Sequence, residues 1–564
     1  MNARHGMVAG AGVVGLVLAT SLGGCVAPPV RVAPLACSEL PSALAALGNV
    51  RLTKNEVLPA DDKGNPAHCL VQGKANERTG NDGRAYAISF EMRLPVAWNK
   101  RFLHQVNGGN DGVVAPALGT LATLATNGLQ RGFAVISSDS GHSGDDPANA
   151  AAGLAKGNVF GLDPQARRDY GYAANGTLYP MAQTLMERHY GERPQRNYMM
   201  GCSNGGRHAL VAATRYADRY DGILAGAPGL NLPKAAVQHA WDVQSWQMAD
   251  PDIRKAFSPA DMGLVATKVL EKCDALDGVA DGIVSDIKRC QPAFKLAELQ
   301  CSGAKTATCL SANQVSALTR AFAGPRNSKG EALYSDWSFD AGMGSGNWRF
   351  WKLESQIPPW DKMPVIATMG AGSLGYIFST PPTRVAGSSA ALLEYLSKFN
   401  FDTDAPRIFS TDGAFGESAM SFMTPPDVDN PRLTEFSKRG GKLIVYHGNS
   451  DAVFSINDTM RWYDKLSANS GGNAAATARL FPVPGMAHCS GGPATDQFDS
   501  LGALVDWVEK GTAPERLIAT VKAGNAEIPA TWAQTRTRPL CVYPKVATYN
   551  GTGSIEEAAS FSCR

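Results

Sequence analysis

A chain of 564 residues is longer than one ordinary domain and long enough to bury a large core. Its 44% hydrophobic and 18% charged residues describe a globular protein and exclude a disordered one. The net charge of +2, with no basic stripe interleaved with aromatics, excludes nucleic acid as a partner, and no internal repeat of about 20–50 residues suggests a solenoid.

In chain order, residues 1–25 read as a secretory signal peptide. Arg4 supplies a short basic start, and Met7–Leu22 is an apolar run too short for a membrane span. "LGGC" at 22–25 resembles a bacterial lipobox, which makes Cys25 the lipidation site; ordinary cleavage near Cys25 is the plainer alternative. Residues 26–36 hold three prolines and read as a tether. The expectation is an exported monomer: an outer-membrane lipoprotein, a periplasmic protein or an extracellular one, touching a membrane only through that anchor. Export gives the 11 cysteines a use, because disulfides form there. Setting Cys25 aside leaves Cys37, Cys69, Cys202, Cys273, Cys290, Cys301, Cys309, Cys489, Cys541 and Cys563, an even set whose pairing spacing alone does not give. No CxxC spacing suggests zinc.

From about 85 to 230, short apolar runs alternate with helical patterns. "AYAISFEMRL" (85–94) alternates like a strand, and "RGFAVISSDSG" (131–141) is a buried strand ending in a polar turn. "TLYPMAQTLMERHYG" (177–191) has helical spacing and a terminal glycine. "RNYMMGCSNGGRHALVAATRYADRY" (196–220) runs strand, sharp turn, helix, and "YDGILAGAPG" (220–229) is the next strand. Such alternation predicts a parallel α/β sheet. The rhythm breaks over 230–430, which holds Trp241, Trp246, Trp337, Trp348, Trp351 and Trp360 of the 10 tryptophans. It returns in "GGKLIVYHGNSDAVFS" (440–455), "ARLFPVPGMAHCSGG" (478–492) and the amphipathic "DSLGALVDWVEKG" (499–511). The return reads 230–430 as a lid inserted over the sheet's C-terminal edge, with 37–229 and 431–564 the two parts of one sheet domain. A second independent domain is the alternative.

Gly201-Cys202-Ser203-Asn204-Gly205 is G-x-S-x-G between a strand and a helix. Such a turn exposes the serine hydroxyl at a helix N-terminus, where N–H groups stabilise a developing anion. A serine nucleophile needs a base. His208 lies on the nucleophile's own helix, and His239 starts the insertion. His447 closes a strand and is a distant second. His488, in the loop after a late strand, is the expected base. Asp451 follows the preceding strand and fits as the acid that holds the imidazole, giving the order Ser203, Asp451, His488. Asp221 follows Ser203 too closely and reads as structural. Cys202 precedes the serine and Cys489 follows the histidine. A bridge between them would tie both turns together and remove Cys202 as a competing nucleophile.

With these residues in view, the chain resembles the tannase and feruloyl esterase family. The resemblance rests on G-C-S-x-G-G at 201–206, "YDGILAGAPG", "CDALDGVADGIV", "YHGNSDAVFS", "VPGMAHCSGG" and "TRTRPLCVYP", and covers nearly all the mature chain. Within the family it is most similar to the bacterial MHETases, which cleave the mono-hydroxyethyl ester of terephthalate. The resemblance implies an α/β-hydrolase fold with a large lid, a Ser203–His488–Asp451 triad, and an oxyanion hole from the N–H groups of Asn204 and of Gly109 in "VNGGNDG". It also implies bridges Cys202–Cys489, Cys273–Cys290, Cys301–Cys309, Cys541–Cys563 and Cys37–Cys69.

"CDALDGVADGIVSD" concentrates Asp274, Asp277 and Asp281 with two glycines to turn the chain, a hard-oxygen set that suits calcium although the spacing is not an EF-hand's. A solvated acidic turn is the bland alternative. The resemblance places a structural calcium ion here, with carbonyls of Val279 and Ile283. It implies that Trp351 and Phe454 wall the aromatic pocket. The MHETases hold the substrate's free carboxylate with an arginine before a T-P-P turn. Here "MPVIATMGAGSLGYIFSTPP" (363–382) has no arginine or lysine. A neutral phenolic ester of ferulate or gallate type needs no such clamp. The expected function is a serine carboxylesterase acting on small aromatic-acid esters. The rivals are a non-catalytic aromatic-binding lipoprotein and a serine peptidase on the same scaffold.

Overall fold

The structure, a computed structural model, describes residues 33–44 and 48–564, without the side chains of 43 and 44. The leader, Cys25 and residues 26–32 of the tether lie outside the described residues.

One sheet of nine strands organises the molecule: β1 (Val50–Leu58), β2 (His68–Thr79), β3 (Ala85–Pro95), β4 (Arg101–Gln105), β5 (Ala134–Ser138), β6 (Arg196–Cys202), β7 (Gly222–Gly226), β8 (Lys442–Gly448) and β9 (Ala478–Val483). They lie in the order β1-β2-β3-β5-β4-β6-β7-β8-β9. The predicted parallel pairing holds from β5 across to β9. It fails at the other end, where β1, β2 and β3 pair antiparallel and β3 meets β5 antiparallel. The physical reason is connection length. β2 and β3 are joined by a short turn at 80–84, and only antiparallel neighbours can be joined that tightly. β5 and β7 are buried along their whole length, as strands covered on both faces must be.

The helices follow their local signals. Ala174–Tyr190 stops at Gly191, whose φ of +75° is left-handed. Ser500–Lys510 starts where the Asp499 carboxylate accepts the Gly502 N–H and stops at Gly511 with φ +71°. Between β7 and β8, the described residues form helices such as Leu232–Ala249, Pro259–Cys273 and Ala312–Phe322, joined by short 3-10 and π-helical turns, with no strand of the sheet. The five disulfides are the pairs that the resemblance implies, with Cα–Cα distances from 5.1 to 6.0 Å. Among the described residues, no helix is long and apolar enough to cross a membrane.

Candidate active site

Parallel pairing aligns the strand ends. Cys202 at the end of β6 is opposite Gly226 of β7, Gly226 is opposite Tyr446 of β8, and Gly448 is opposite Val483 of β9. The turns that leave these strands therefore open on one edge of the sheet. Ser203 follows β6 directly with φ +66° and ψ −127°, a conformation that L side chains rarely adopt. Glycine is required on either side for space. A Cβ on Gly201 would stand 2.6 Å from the Val106 carbonyl oxygen, and one on Gly205 would stand 2.5 Å from it. The helix Asn204–Arg215 begins at once, so its N-terminus faces the serine hydroxyl.

The structure brings Ser203, His488 and Asp451 into one chain of hydrogen bonds. Ser203 Oγ lies 2.8 Å from His488 Nε2, and His488 Nδ1 lies 2.8 Å from Asp451 Oδ2. A carboxylate only accepts, so Nδ1 carries the proton and Nε2 is left to accept from the serine. Asp451 is buried, and its Oδ1 accepts the N–H groups of Val453 at 2.7 Å and Phe454 at 3.0 Å. Burial works against its charge, but the His488 and His447 rings prevail and hold its carboxyl well below the usual carboxylate range.

The other histidines stand elsewhere. His447 lies on the far side of the acid, with Nε2 3.3 Å from Asp451 Oδ2 and 3.0 Å from the Phe454 carbonyl, and Nδ1 2.9 Å from Thr459 Oγ1. It touches the carboxylate and not the serine. His208 is buried against Asp111, and His239 is half-buried within the insertion. Asp221 accepts the Asn197 N–H at 2.8 Å, the structural use expected of it.

The Cys202–Cys489 bridge, with Cα atoms 6.0 Å apart, joins the serine turn to the histidine loop, and its thiolates are no longer available. Asn204 is the first residue of its helix, so its N–H has no intrahelical acceptor. Gly109, with φ +63°, lies in the turn after β4. Among the described residues, neither N–H has a backbone acceptor. Gly108, which the sequence reading did not single out, lies closest: a Cβ there would come within 3.5 Å of Ser203 Cβ.

A cavity of about 530 Å3 opens above Ser203 and His488, lined by Gly108, Gly109, Phe350, Trp351, Trp360, Val365 and Met369 among others. Trp351 meets the His488 ring edge-on at 5.1 Å. Phe454 meets the same ring at 5.6 Å from the Asp451 loop. Among the described residues, no Lys, Arg, Asp or Glu lines this cavity. Two guanidinium groups meet the T-P-P turn and both are engaged: Arg407 donates to the Pro381 carbonyl, and the buried Arg167 donates to Thr380 Oγ1 and to the carbonyls of Gly161, Tyr376 and Ser379.

The acidic loop is partly committed. Asp274 accepts the N–H groups of Asp281 at 2.9 Å and Gly282 at 2.8 Å, and Asp281 Oδ2 pairs with Arg538. Asp277 Oδ2 is buried with no partner, and burial, with the neighbouring Asp281 and Asp274 charges adding, pushes this carboxyl up to about 6. The Val279 and Ile283 carbonyls accept no backbone hydrogen bond among the described residues. These free oxygens suit a hard cation, although among the described residues no group of three His, Cys, Asp or Glu is gathered as a metal cluster.

The sequence reading missed two buried carboxylates at the site. Asp340, from the insertion, accepts from Ser450 Oγ and the Gly485 N–H, both at 2.8 Å, and so holds the two loops that carry Asp451 and His488. Asp111 joins the glycine turn after β4 to the serine helix. The only sequence signal for Asp111 was an acidic residue at the end of "VNGGND".

Comparison with known proteins agrees with this geometry. The family model described as "Tannase and feruloyl esterase" matches residues 69–564. The mono(2-hydroxyethyl) terephthalate hydrolase of Piscinibacter sakaiensis is 42% identical over 524 residues, 88% of this chain and 85% of that protein. A probable feruloyl esterase B-1 of Aspergillus fumigatus is 27% identical, over 84% of this chain and 82% of that one. Feruloyl esterase B from Aspergillus oryzae shares the fold, with a TM-score of 0.71 at 22% identity over 93% of this chain and 100% of that chain.

Proposed function

The chain belongs to the tannase and feruloyl esterase family and is a carboxylic ester hydrolase, and from that premise we propose that it cleaves small aromatic-acid esters through an acyl-enzyme on Ser203. The hydrogen-bonded run Ser203–His488–Asp451, at the floor of an aromatic cavity, carries this reading. Ser203 Oγ attacks the ester carbonyl carbon as His488 Nε2 takes the hydroxyl proton. Asp451 accepts from Nδ1–H and stabilises the imidazolium. The N–H groups of Asn204 and Gly109 receive the oxyanion, each such donor being worth about 3–4 kcal/mol. His488 returns its proton to the leaving alcohol, and water then releases the acid by the same steps in reverse. The segment 230–430 acts as the lid that supplies Trp351 to the aryl group.

The acyl group is uncharged in this reading, because the cavity lacks a cation and Arg167 is engaged elsewhere. A hydrolysis panel of MHET, methyl ferulate, chlorogenate and methyl gallate on one purified sample tests it. Higher kcat/KM for the neutral acids is expected, and a strong preference for MHET overturns it. Ser203→Ala should abolish turnover in a folded protein, and retained turnover overturns the whole assignment.

A structural calcium ion in the acidic loop belongs to the same proposal, held by Asp277 and the Val279 and Ile283 carbonyls beside Asp274 and Asp281. It neutralises crowded carboxylates and has no part in the reaction. Chelator should lower the thermal midpoint and added calcium restore it; an unchanged midpoint removes the ion from the account. Export through the leader is supported by the five disulfides among the described residues, and anchoring at Cys25 and a monomeric state complete the reading.

A further inference from the structure

The two backbone donors assigned to the oxyanion belong to segments distant in sequence, so something must set the gap between them. The turn 107–111 leaves β4, and the helix Asn204–Arg215 leaves β6. One side chain spans them. Asp111 closes the turn, with its own N–H 3.3 Å from the Gly108 carbonyl and a left-handed φ of +53°. Its side chain is wholly buried, and its Oδ2 accepts from Asn204 Nδ2 at 2.8 Å and His208 Nε2 at 2.9 Å. These are the first residue of the serine helix and the one a turn later on the same face.

The Asn204 side chain is held at both ends. Its Oδ1 accepts from Arg207 Nε at 2.6 Å, and the buried Arg207 guanidinium donates onward to the carbonyls of Gly171 and Tyr170. Tyr170 OH in turn donates to the Gly109 carbonyl at 3.4 Å. Asp111, Asn204, Arg207 and Tyr170 thus form a closed brace behind both donors, and none of them lines the cavity.

We infer that Asp111 is a positioning residue that fixes the spacing of the Gly109 and Asn204 N–H groups around the transition-state oxyanion; this rests on the hydrolytic reading above. An oxyanion hole is worth its full value only when its donors are pre-set for the tetrahedral state, and a misplacement of about 1 Å can cost about 10²-fold. The ground-state ester makes weaker use of the same donors, so loss of the brace falls on kcat and not on KM.

The test compares Asp111→Ala, Asp111→Asn and Asn204→Ala with the parent protein. Asn204→Ala keeps the backbone donor and removes the brace from its other end. The readouts are kcat, KM, the affinity of an aryl boronic acid that forms a tetrahedral serine adduct, and the affinity of the product acid. Asp111→Ala and Asn204→Ala should each lower kcat and boronate affinity by about 10–10²-fold, with KM and product-acid affinity within about threefold. Asp111→Asn presents an oxygen where Oδ2 stood and should recover most of the loss. The double variant should lose little more than either single one, because both cut one strut. Parent-like kcat in folded Asp111→Ala or Asn204→Ala overturns the inference, as does an equal loss of boronate and product-acid affinity. If Asp111→Ala does not fold, Asn204→Ala against Asp111→Asn decides alone. Turnover retained in Ser203→Ala overturns the hydrolytic reading instead, so the two failures are distinct.

Discussion

Ser203, Asp451 and His488 stand on turns that leave the parallel strands β6, β8 and β9, while the aromatic walls above them come from the helical insertion between β7 and β8. The strand-end turns are fixed by backbone. Ladder hydrogen bonds align their starting points, glycines admit the close approach of the helix, and a disulfide closes the edge. The insertion is fixed by side-chain packing, short 3-10 and π-helical turns and a few buried polar anchors such as Asp340. In the proposed function, chemistry, which needs positions held to fractions of an ångström, falls on the first kind of structure, and recognition, which tolerates more variation, falls on the second.

The contrast predicts different kinetic signatures. Asp451→Asn should lower kcat by about 10⁴-fold, because the amide leaves His488 in the wrong tautomer. A small effect would mean that the strand-end geometry is not the reacting geometry. Replacing Cys202 and Cys489 together by serine should cost about 2–5 kcal/mol in denaturant unfolding and reduce kcat. Replacing Cys301 and Cys309, a bridge in the insertion that spans 8 positions, should cost less and leave kcat unchanged. Equal kinetic losses would erase the distinction. Trp351→Ala should raise KM for aryl esters about tenfold with little change in kcat, since the ring offers burial to substrate and transition state alike.

The last effect, on the pH dependence of stability, concerns Asp340, where the two regions meet. Burial pushes its carboxyl up to about 6, against its hydrogen bonds. An unfolded aspartate titrates near ~3.9, so between about pH 4 and 6 the folded protein binds more protons than the unfolded chain. This group therefore makes stability fall as pH rises through that window. Asp340→Asn should flatten the slope there by up to about 3 kcal/mol across the window, read from denaturant midpoints at several pH values. An unchanged slope would show that Asp340 is not the group that titrates.

The same contrast explains what could be read before the structure. Ser203, His488 and Asp451 sit in short motifs because a strained turn admits few residues, and Gly201 and Gly205 mark it directly. The strands read within 85–94, 131–141, 196–220, 220–229, 440–455 and 478–492 match β3, β5, β6, β7, β8 and β9 because apolar runs bounded by turn residues record burial. The antiparallel edge escaped notice because the parallel rule was extended from the middle of the sheet to its end. Asp111 and Asp340 were illegible for a different reason. Each bridges segments far apart in sequence, and a lone aspartate carries no mark of what it will meet.

The account depends above all on a covalent intermediate at Ser203. Acid-quenching the enzyme during turnover of a slow aromatic ester, followed by peptide mass spectrometry, tests this directly. The prediction is one acyl group on the peptide that contains Ser203, absent in Ser203→Ala. Turnover with the acyl group on another residue, or undiminished in Ser203→Ala, would contradict it.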